Sequence, residues 1–345
     1  AFYFPERPVI SENHKETSYA LLNERANQVA TALLKIGIAS GDHVALCAPN
    51  SGDWLAFYFG VIKIGAVAVT LSSQLKADEL TLLVNHSRPK AIFTHDEKLG
   101  DLEKLRDGNC LKKIICPEGD LSFEKLINSG QSVFKAVDAE RTDTAAILYT
   151  GGTTGIPKGV MLTHMNIVNN AQIIGDFMKL TQEDRVCIPV PFFHCFGCVL
   201  GTLAAVTHGS TMVLVEQFEP KRVLQAVQDE KCTALHGVPT MFIAELNHPD
   251  YSQFDTSSLR TGIMAGSPCP IEVMKKVIED MGANEITICY GLTEASPVIT
   301  QTKADDEIEK RVSTVGKPHP HVEVKVIDPA TGEEVGQGIP GELCT

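Results

Sequence analysis

Apolar residues recur along this chain in two alternating rhythms. Between 19 and 36, Leu22, Ala26, Val29 and Leu33 fall at helical spacing, and Gly37 follows as a residue suited to a helix C-terminus. The short apolar run 44–47 predicts a strand, 54–64 a helix that stops before Gly65, and 66–71 and 91–94 two further strands. A second series of strand-like runs follows at 186–190, 212–215, 233–238, 262–265 and 285–290, with helical segments between them. Short continuous apolar strands alternating with helices predict βαβ units. The fold class expected is therefore α/β, with doubly wound, mostly parallel sheets covered by helices in two related subdomains.

The polar stretch near 130–144, ending Asp138-Ala139-Glu140-Arg141-Thr142-Asp143, reads as a link. It suggests a first α/β subdomain over 1–140 and a second over 141–315. Residues 301–311 read as a charged surface segment. In 322–326 apolar and polar residues alternate, which predicts a half-exposed strand and the start of a β subdomain over 316–345. Pro189, Pro191, Pro239, Pro268 and Pro270 fall at strand ends, where loops carry function.

A chain of 345 residues is long enough for two or three packed units. Its apolar share of 43% and charged share of 21% are those of a soluble globular protein. The net charge of −13 argues against nucleic acid or an anionic membrane as the main partner, while leaving room for a local positive pocket. No apolar stretch approaches the ~20 residues of a membrane-spanning helix. The chain opens at Ala1 rather than Met, which is compatible with a removed targeting segment. The 10 cysteines mostly sit inside apolar runs, as reduced core cysteines do, and so suggest a cytoplasmic compartment. His194-Cys195-Phe196-Gly197-Cys198 stands apart. A C-x-x-C beside a histidine suits a metal or redox site, but no second C-x-x-C completes a zinc set.

Residues 149–159 read Tyr-Thr-Gly-Gly-Thr-Thr-Gly-Ile-Pro-Lys-Gly. They lie between the apolar run 145–149 and a second run at 159–162. Glycines let the backbone turn tightly and bring N–H groups close to an anion. The hydroxyls of Thr150, Thr153 and Thr154 and the ammonium of Lys158 add donors. This is the chemistry of a phosphate-holding loop, although a solvated hairpin turn has a similar composition. The Walker pattern is not met: the residue five beyond Gly152 is Pro157, and Gly159 rather than Ser or Thr follows Lys158.

The segment resembles the phosphate-binding signature of the adenylate-forming enzymes, the acyl-CoA synthetases, luciferases and peptide-synthetase adenylation domains. Further matches follow in the family's order. Pro191-Phe192-Phe193-His194 resembles its aromatic-histidine segment beside the acyl pocket, and Tyr290-Gly291-Leu292-Thr293-Glu294 its Y-G-x-T-E motif. Val315-Gly316-Lys317-Pro318 and Gly338-Ile339-Pro340-Gly341-Glu342-Leu343 resemble two later landmarks. The likeness is greatest to medium- and long-chain fatty acyl-CoA synthetases and corresponds to their large N-terminal domain. In that family the chain continues into a mobile C-terminal domain carrying a catalytic lysine, with a ribose-binding aspartate and a phosphate-contacting arginine. The resemblance assigns none of these here and implies weak ATP binding and a slow thioester step without them.

The resemblance implies ATP/AMP, Mg²⁺ and coenzyme A as ligands, with a carboxylic acid as substrate. Thr150, Gly151, Gly152, Thr153, Thr154, Gly155 and Lys158 would hold the phosphates. Thr293 would donate to the α-phosphate, and Glu294, with Thr150, would ligate Mg²⁺. Thr-Glu-Ala-Ser over 293–296 also suits a plain helix N-terminus. Tyr290 and Gly291 would flank the adenine, and Gly266, Ser267 and Pro268 would line the adenine and part of the acyl pocket. His194 reads either as a polar gate near the reacting carboxylate or as a buried packing histidine. His236 reads as structural. The apolar character of 187–205 and 235–243 favours a fatty or aryl acid. Two other readings stay open: an adenylating enzyme with a carrier-protein acceptor, and a non-catalytic nucleotide-binding module.

Overall fold

The computed structural model describes residues 3–106, 110–151 and 157–345. Strands β1 (Pro8–Glu12), β2 (Lys15–Ser18), β3 (His43–Cys47), β4 (Val67–Thr70), β5 (Ala91–Thr94), β6 (Lys113–Ile115), β7 (Thr144–Thr150) and β8 (Lys158–Thr163) come first. They are followed by β9 (Arg185–Ile188), β10 (Thr211–Leu214), β11 (Ala234–Gly237), β12 (Thr261–Met264), β13 (Thr287–Gly291), β14 (Val298–Gln301) and β15 (Lys317–Pro318). A small hairpin of β16 (Lys325–Ile327) and β17 (Glu342–Cys344) ends the chain.

One sheet of 6 strands has the order β6-β5-β3-β4-β7-β8 and is parallel except for β8. The other has 9 strands in the order β15-β14-β13-β12-β11-β9-β10-β1-β2, with a parallel centre and antiparallel edges. Strand pairing crosses the division expected at 140/141 in both directions. The N-terminal β1–β2 hairpin joins the second sheet beside β10, and β7–β8 complete the first.

Alternation along each strand divides the core into three clusters. Val44 and Leu46 of β3, with Val186 and Ile188 of β9, face one cluster between the sheets. Ala45 and Cys47 turn outward from the first sheet, and Cys187 from the second. Helices Tyr19–Lys35 and Gly52–Lys63 pack against each other in the central layer, where Trp54, Phe57, Tyr58 and Phe192 are fully buried. Burying a side chain of this size contributes roughly 1.5–3 kcal/mol. Both helices start at serine caps: Ser18 Oγ accepts from Leu21 N–H at 3.2 Å, and Ser51 Oγ from Trp54 N–H at 3.1 Å. No helix among the described residues is long and apolar enough to cross a membrane.

Two sequence expectations change in detail. The strand expected over 322–326 forms only at β16, where β17 pairs with it. The segment 301–311 is not simply surface. Gln301 and Thr302 are buried, Thr302 Oγ1 accepts from Ile288 N–H at 2.9 Å, and Arg311 donates to the Ile286 carbonyl at 3.0 Å. Its charged residues therefore flank an inner polar layer along β13.

Candidate active site

The second sheet ends in loops at the carboxyl ends of its strands, the place where open α/β sheets bind ligands. After β12 the chain turns at Gly266, whose φ of +88° is a left-handed value that side chains rarely adopt. Ser267 and Pro268 follow, exposed. Strand β13 carries Tyr290, 37% exposed, and ends at Gly291. A Cβ on Gly291 would stand 1.9 Å from the Pro297 carbonyl oxygen, so β14, crossing back, demands glycine there. The fold itself is thus a reason for the G in Y-G-x-T-E. Thr293 then opens a single 3₁₀ turn, Thr293–Ala295, with its side chain buried and Glu294 exposed.

The glycine-rich segment lies between the two strands of a β-hairpin. Strands β7 and β8 are antiparallel, and Thr150 pairs directly with Lys158 at the loop's neck. Gly152, Thr153, Thr154 and Gly155 lie outside the described residues. Gly151 and Lys158 are exposed. The side chains of Thr150, Lys158, Tyr290 and Glu294 make no hydrogen bond or ion pair among the described residues. Strand β8 packs against the 293–295 turn, which sets the hairpin beside Glu294.

His194 lies on the loop after β9. The first sheet braces that loop: Asn50 Oδ1 accepts from Phe192 N–H at 2.8 Å, Asn50 Nδ2 donates to the Val190 carbonyl at 2.9 Å, and Thr70 Oγ1 donates to the Phe193 carbonyl at 2.8 Å. Asn50 and Thr70 went unnoticed in the sequence, where nothing distinguishes them from ordinary strand-end polar residues. His194 is exposed as a residue rather than packed in the core, while its ring contacts Cys195 and Phe196 at the part-buried wall of the cleft. Phe196 N–H donates to its Nδ1 at 3.1 Å, which leaves the proton of the neutral ring on Nε2. The desolvating walls of the cleft draw its pKa below the usual histidine value.

Beyond His194 the chain forms a π-helix, Phe196–Leu203, a form often found at functional sites. The C-x-x-C pair opens it. Cys195 and Cys198 are buried free thiols, and burial pushes the Cys195 thiol up to about 11. His236 is fully buried and within 3.3 Å of the Leu200 carbonyl through Nε2, with its pKa pushed down to about 4 by burial. It belongs to the packing around the π-helix.

Three concavities meet along β13 and the turn after it. One of about 720 Å³ is lined by Gly266, Ser267, Pro268, Tyr290 and Gly291, with 312–316 opposite. A narrower one of about 180 Å³ shares Gly266 and Gly291 and is lined by His194, Cys195, Phe196, Leu200 and Thr293. The third, about 910 Å³, begins at Glu294 and runs along the polar face of helix His164–Phe177. The residues singled out in the sequence over 194, 266–268 and 290–294 are therefore brought together. Leu200, from the apolar stretch 187–205, lines the narrow cavity as well, and Ala265, Pro297 and Val298 join it without having been expected there. Leu292 also lines it, and its place inside the Y-G-x-T-E stretch was the one available signal.

A family model described as AMP-binding enzyme matches residues 1–345. The chain belongs to the AMP-binding enzyme family. It is 46% identical over 374 residues to the YngI protein of Bacillus subtilis (strain 168), covering 99% of this chain and 68% of that protein. It is 32% identical to medium-chain acyl-CoA ligase ACSF2, mitochondrial, of Bos taurus, covering 98% of this chain and 61% of that one. The fold superimposes with a TM-score of 0.92 and 28% identity on the crystal structure of the anthranilate CoA ligase AuaEII in complex with anthranoyl-AMP, covering 99% of this chain and 66% of that chain. This AMP-binding chain thus spans about two thirds of the length of these proteins.

Proposed function

We propose that this chain is the nucleotide- and acid-binding part of an ATP-dependent acid–CoA ligase. The observation that carries the reading is the position of the narrow cavity. It lies between the cleft of Tyr290 and Gly266 on one side and Glu294 on the other. A nucleotide with its base against Tyr290 would bring its α-phosphate to Thr293 and its outer phosphates toward Glu294 and the hairpin.

The chemistry follows from charge. A carboxylate must approach the α-phosphorus of a polyanion, forming an acyl-adenylate and releasing pyrophosphate. A coenzyme A thiol then attacks the acyl carbon and releases AMP. Fixed donors offset the repulsion in the first step. Thr293 offers its hydroxyl, His194 its neutral Nε2–H, and Lys158 a cation at the neck of the loop. Thr150 with the glycine-rich segment 151–155 frames the phosphates. Glu294 and Thr150, without partners among the described residues, are hard-oxygen donors of the kind Mg²⁺ prefers and would hold it, a bound cation there supplying neutralisation of phosphate charge.

The acid is proposed to be uncharged beyond its carboxylate. Phe196, Leu200, Ala265 and Val298 line the narrow cavity, and His194, its one ionisable imidazole, is held toward the neutral form. A medium- or long-chain fatty acid suits this lining better than an amino or dicarboxylic acid. The free, mostly buried cysteines suit a reducing compartment such as the cytoplasm.

ATP–pyrophosphate exchange on the full-length protein, with C4 to C16 fatty acids, benzoate and amino acids as a panel, tests the reading. Acid-dependent exchange with the fatty acids is expected, followed by thioester formation with coenzyme A. Absence of exchange with every acid in folded protein would overturn it in favour of a nucleotide-binding module.

A further inference from the structure

We propose that Cys195 is a positioning residue for Thr293, its thiol orienting the Thr293 hydroxyl toward the site where the nucleotide α-phosphate is read to lie; the inference rests on the function proposed above.

The two side chains come from loops 98 residues apart and meet inside the narrow cavity, with Cys195 Sγ 3.6 Å from Thr293 Oγ1. Both residues are buried, Cys195 at 5% and Thr293 at 6% exposure. Among the described residues Thr293 Oγ1 has no other partner. The thiol has one competing neighbour, the His194 ring, at 3.6 Å from Nδ1 and 4.0 Å from Nε2. That competition fails on lone-pair grounds. Nδ1 has a single acceptor lone pair and already receives Phe196 N–H at 3.1 Å, while Nε2 carries the ring proton. Either atom of the pair could donate; with both ring nitrogens closed to it, the S–H is assigned to Thr293 Oγ1.

A hydroxyl has one proton and two lone pairs. With one lone pair facing the S–H, the Thr293 proton turns away from sulfur and into the cavity. The donor is then aimed before any phosphate arrives, which is the condition under which a fixed donor helps a reaction most. Burial keeps the thiol protonated across the physiological range, so the arrangement does not depend on pH there. The same burial makes Cys195 a poor nucleophile, which argues against a redox role for the C-x-x-C pair.

The test uses the full-length protein and four variants: Cys195→Ala, Cys195→Ser, Thr293→Val and the double variant Cys195→Ala/Thr293→Val. A hydrogen bond of this kind corresponds to about a 3- to 10-fold change. Cys195→Ala is expected to lower kcat for acid-dependent ATP–pyrophosphate exchange by that factor with little change in KM for ATP, and Cys195→Ser to recover most of it. In the Thr293→Val background Cys195→Ala should change nothing further. Independently of activity, the Thr293 methyl signal in ¹³C NMR should move in Cys195→Ala and return in Cys195→Ser. Full kcat in Cys195→Ala, or an undiminished loss in the Thr293→Val background, would overturn the proposal. So would a Thr293 methyl signal indifferent to Cys195. If the wild type shows no exchange at all, the functional reading fails while the NMR comparison still decides the contact.

Discussion

The two ends of the second sheet treat polar groups in opposite ways. At the amino end, Asp184 before β9, Thr233 before β11, Arg260 before β12 and Glu285 before β13 satisfy one another. Arg260 donates to both Asp184 oxygens, at 3.1 and 2.8 Å, and to Glu285 at 2.6 Å, while Thr233 Oγ1 donates to Asp184 at 2.7 Å. The Asp184 side chain is 4% exposed. At the carboxyl end Tyr290 and Glu294, with Lys158 of the hairpin packed beside them from the first sheet, stand without partners among the described residues. Burial makes the first arrangement costly to break. Exposure and missing partners make the second cheap to alter for stability and ready to receive a ligand. The same strands thus carry a stabilising end and the end at which binding is proposed.

The largest effect expected is on the stabilising end. Asp184→Asn removes the buried one of Arg260's two carboxylate partners, leaving Glu285, and should lower stability by about 3 kcal/mol in urea unfolding. The comparison breaks if that variant unfolds like the wild type. The pair also has a pH signature. Burial alone would raise the Asp184 pKa, but Arg260, Thr233 and the Thr181 N–H outweigh it and hold the carboxyl below its usual range. A depressed folded pKa contributes stability that is fully present above the unfolded value, about 4, and is lost as pH falls through the folded one. Melting curves of the wild type should therefore fall more steeply in acid than those of Asp184→Asn.

On the binding end the expected effects are on ligand and rate. Glu294→Gln should lower acid-dependent exchange about 100-fold, or ~2.7 kcal/mol of barrier. Tyr290→Ala should weaken AMP binding by about 1–3 kcal/mol through lost stacking, read by calorimetry. The smallest effect is at a helix cap, where only stability is at stake. Ser51→Ala removes the cap of helix Gly52–Lys63 and should cost ~1 kcal/mol of stability without touching nucleotide affinity.

What could be read from the sequence was what local periodicity encodes. The strands at 44–47 and 91–94 and the helix from Tyr19 stand where residue pattern put them, and 266–268 and 290–294 fall at the ends of β12 and β13 as the strand runs implied. What escaped depends on contacts distant in the chain. No local signal says that β1 pairs with β10 or that Asn50 braces the loop at 190–193. The β1–β2 turn places Asn13 and His14 at positive φ, a conformation their residue types permit but do not demand. The Cys195–Thr293 contact joins loops 98 residues apart, and C-x-x-C by itself is a metal or redox pattern. The buried side chains within 301–311 were masked by charged neighbours that face solvent.

The most direct measurement crosses the two ends: melting temperature and acid-dependent ATP–pyrophosphate exchange, taken together on Asp184→Asn and Glu294→Gln of the full-length protein. The account predicts that Asp184→Asn melts well below the wild type yet exchanges normally at temperatures where it is folded. Glu294→Gln should melt with the wild type and lose exchange. A Glu294→Gln that keeps exchange, or that melts as low as Asp184→Asn, would contradict the separation of a stabilising end from a binding end.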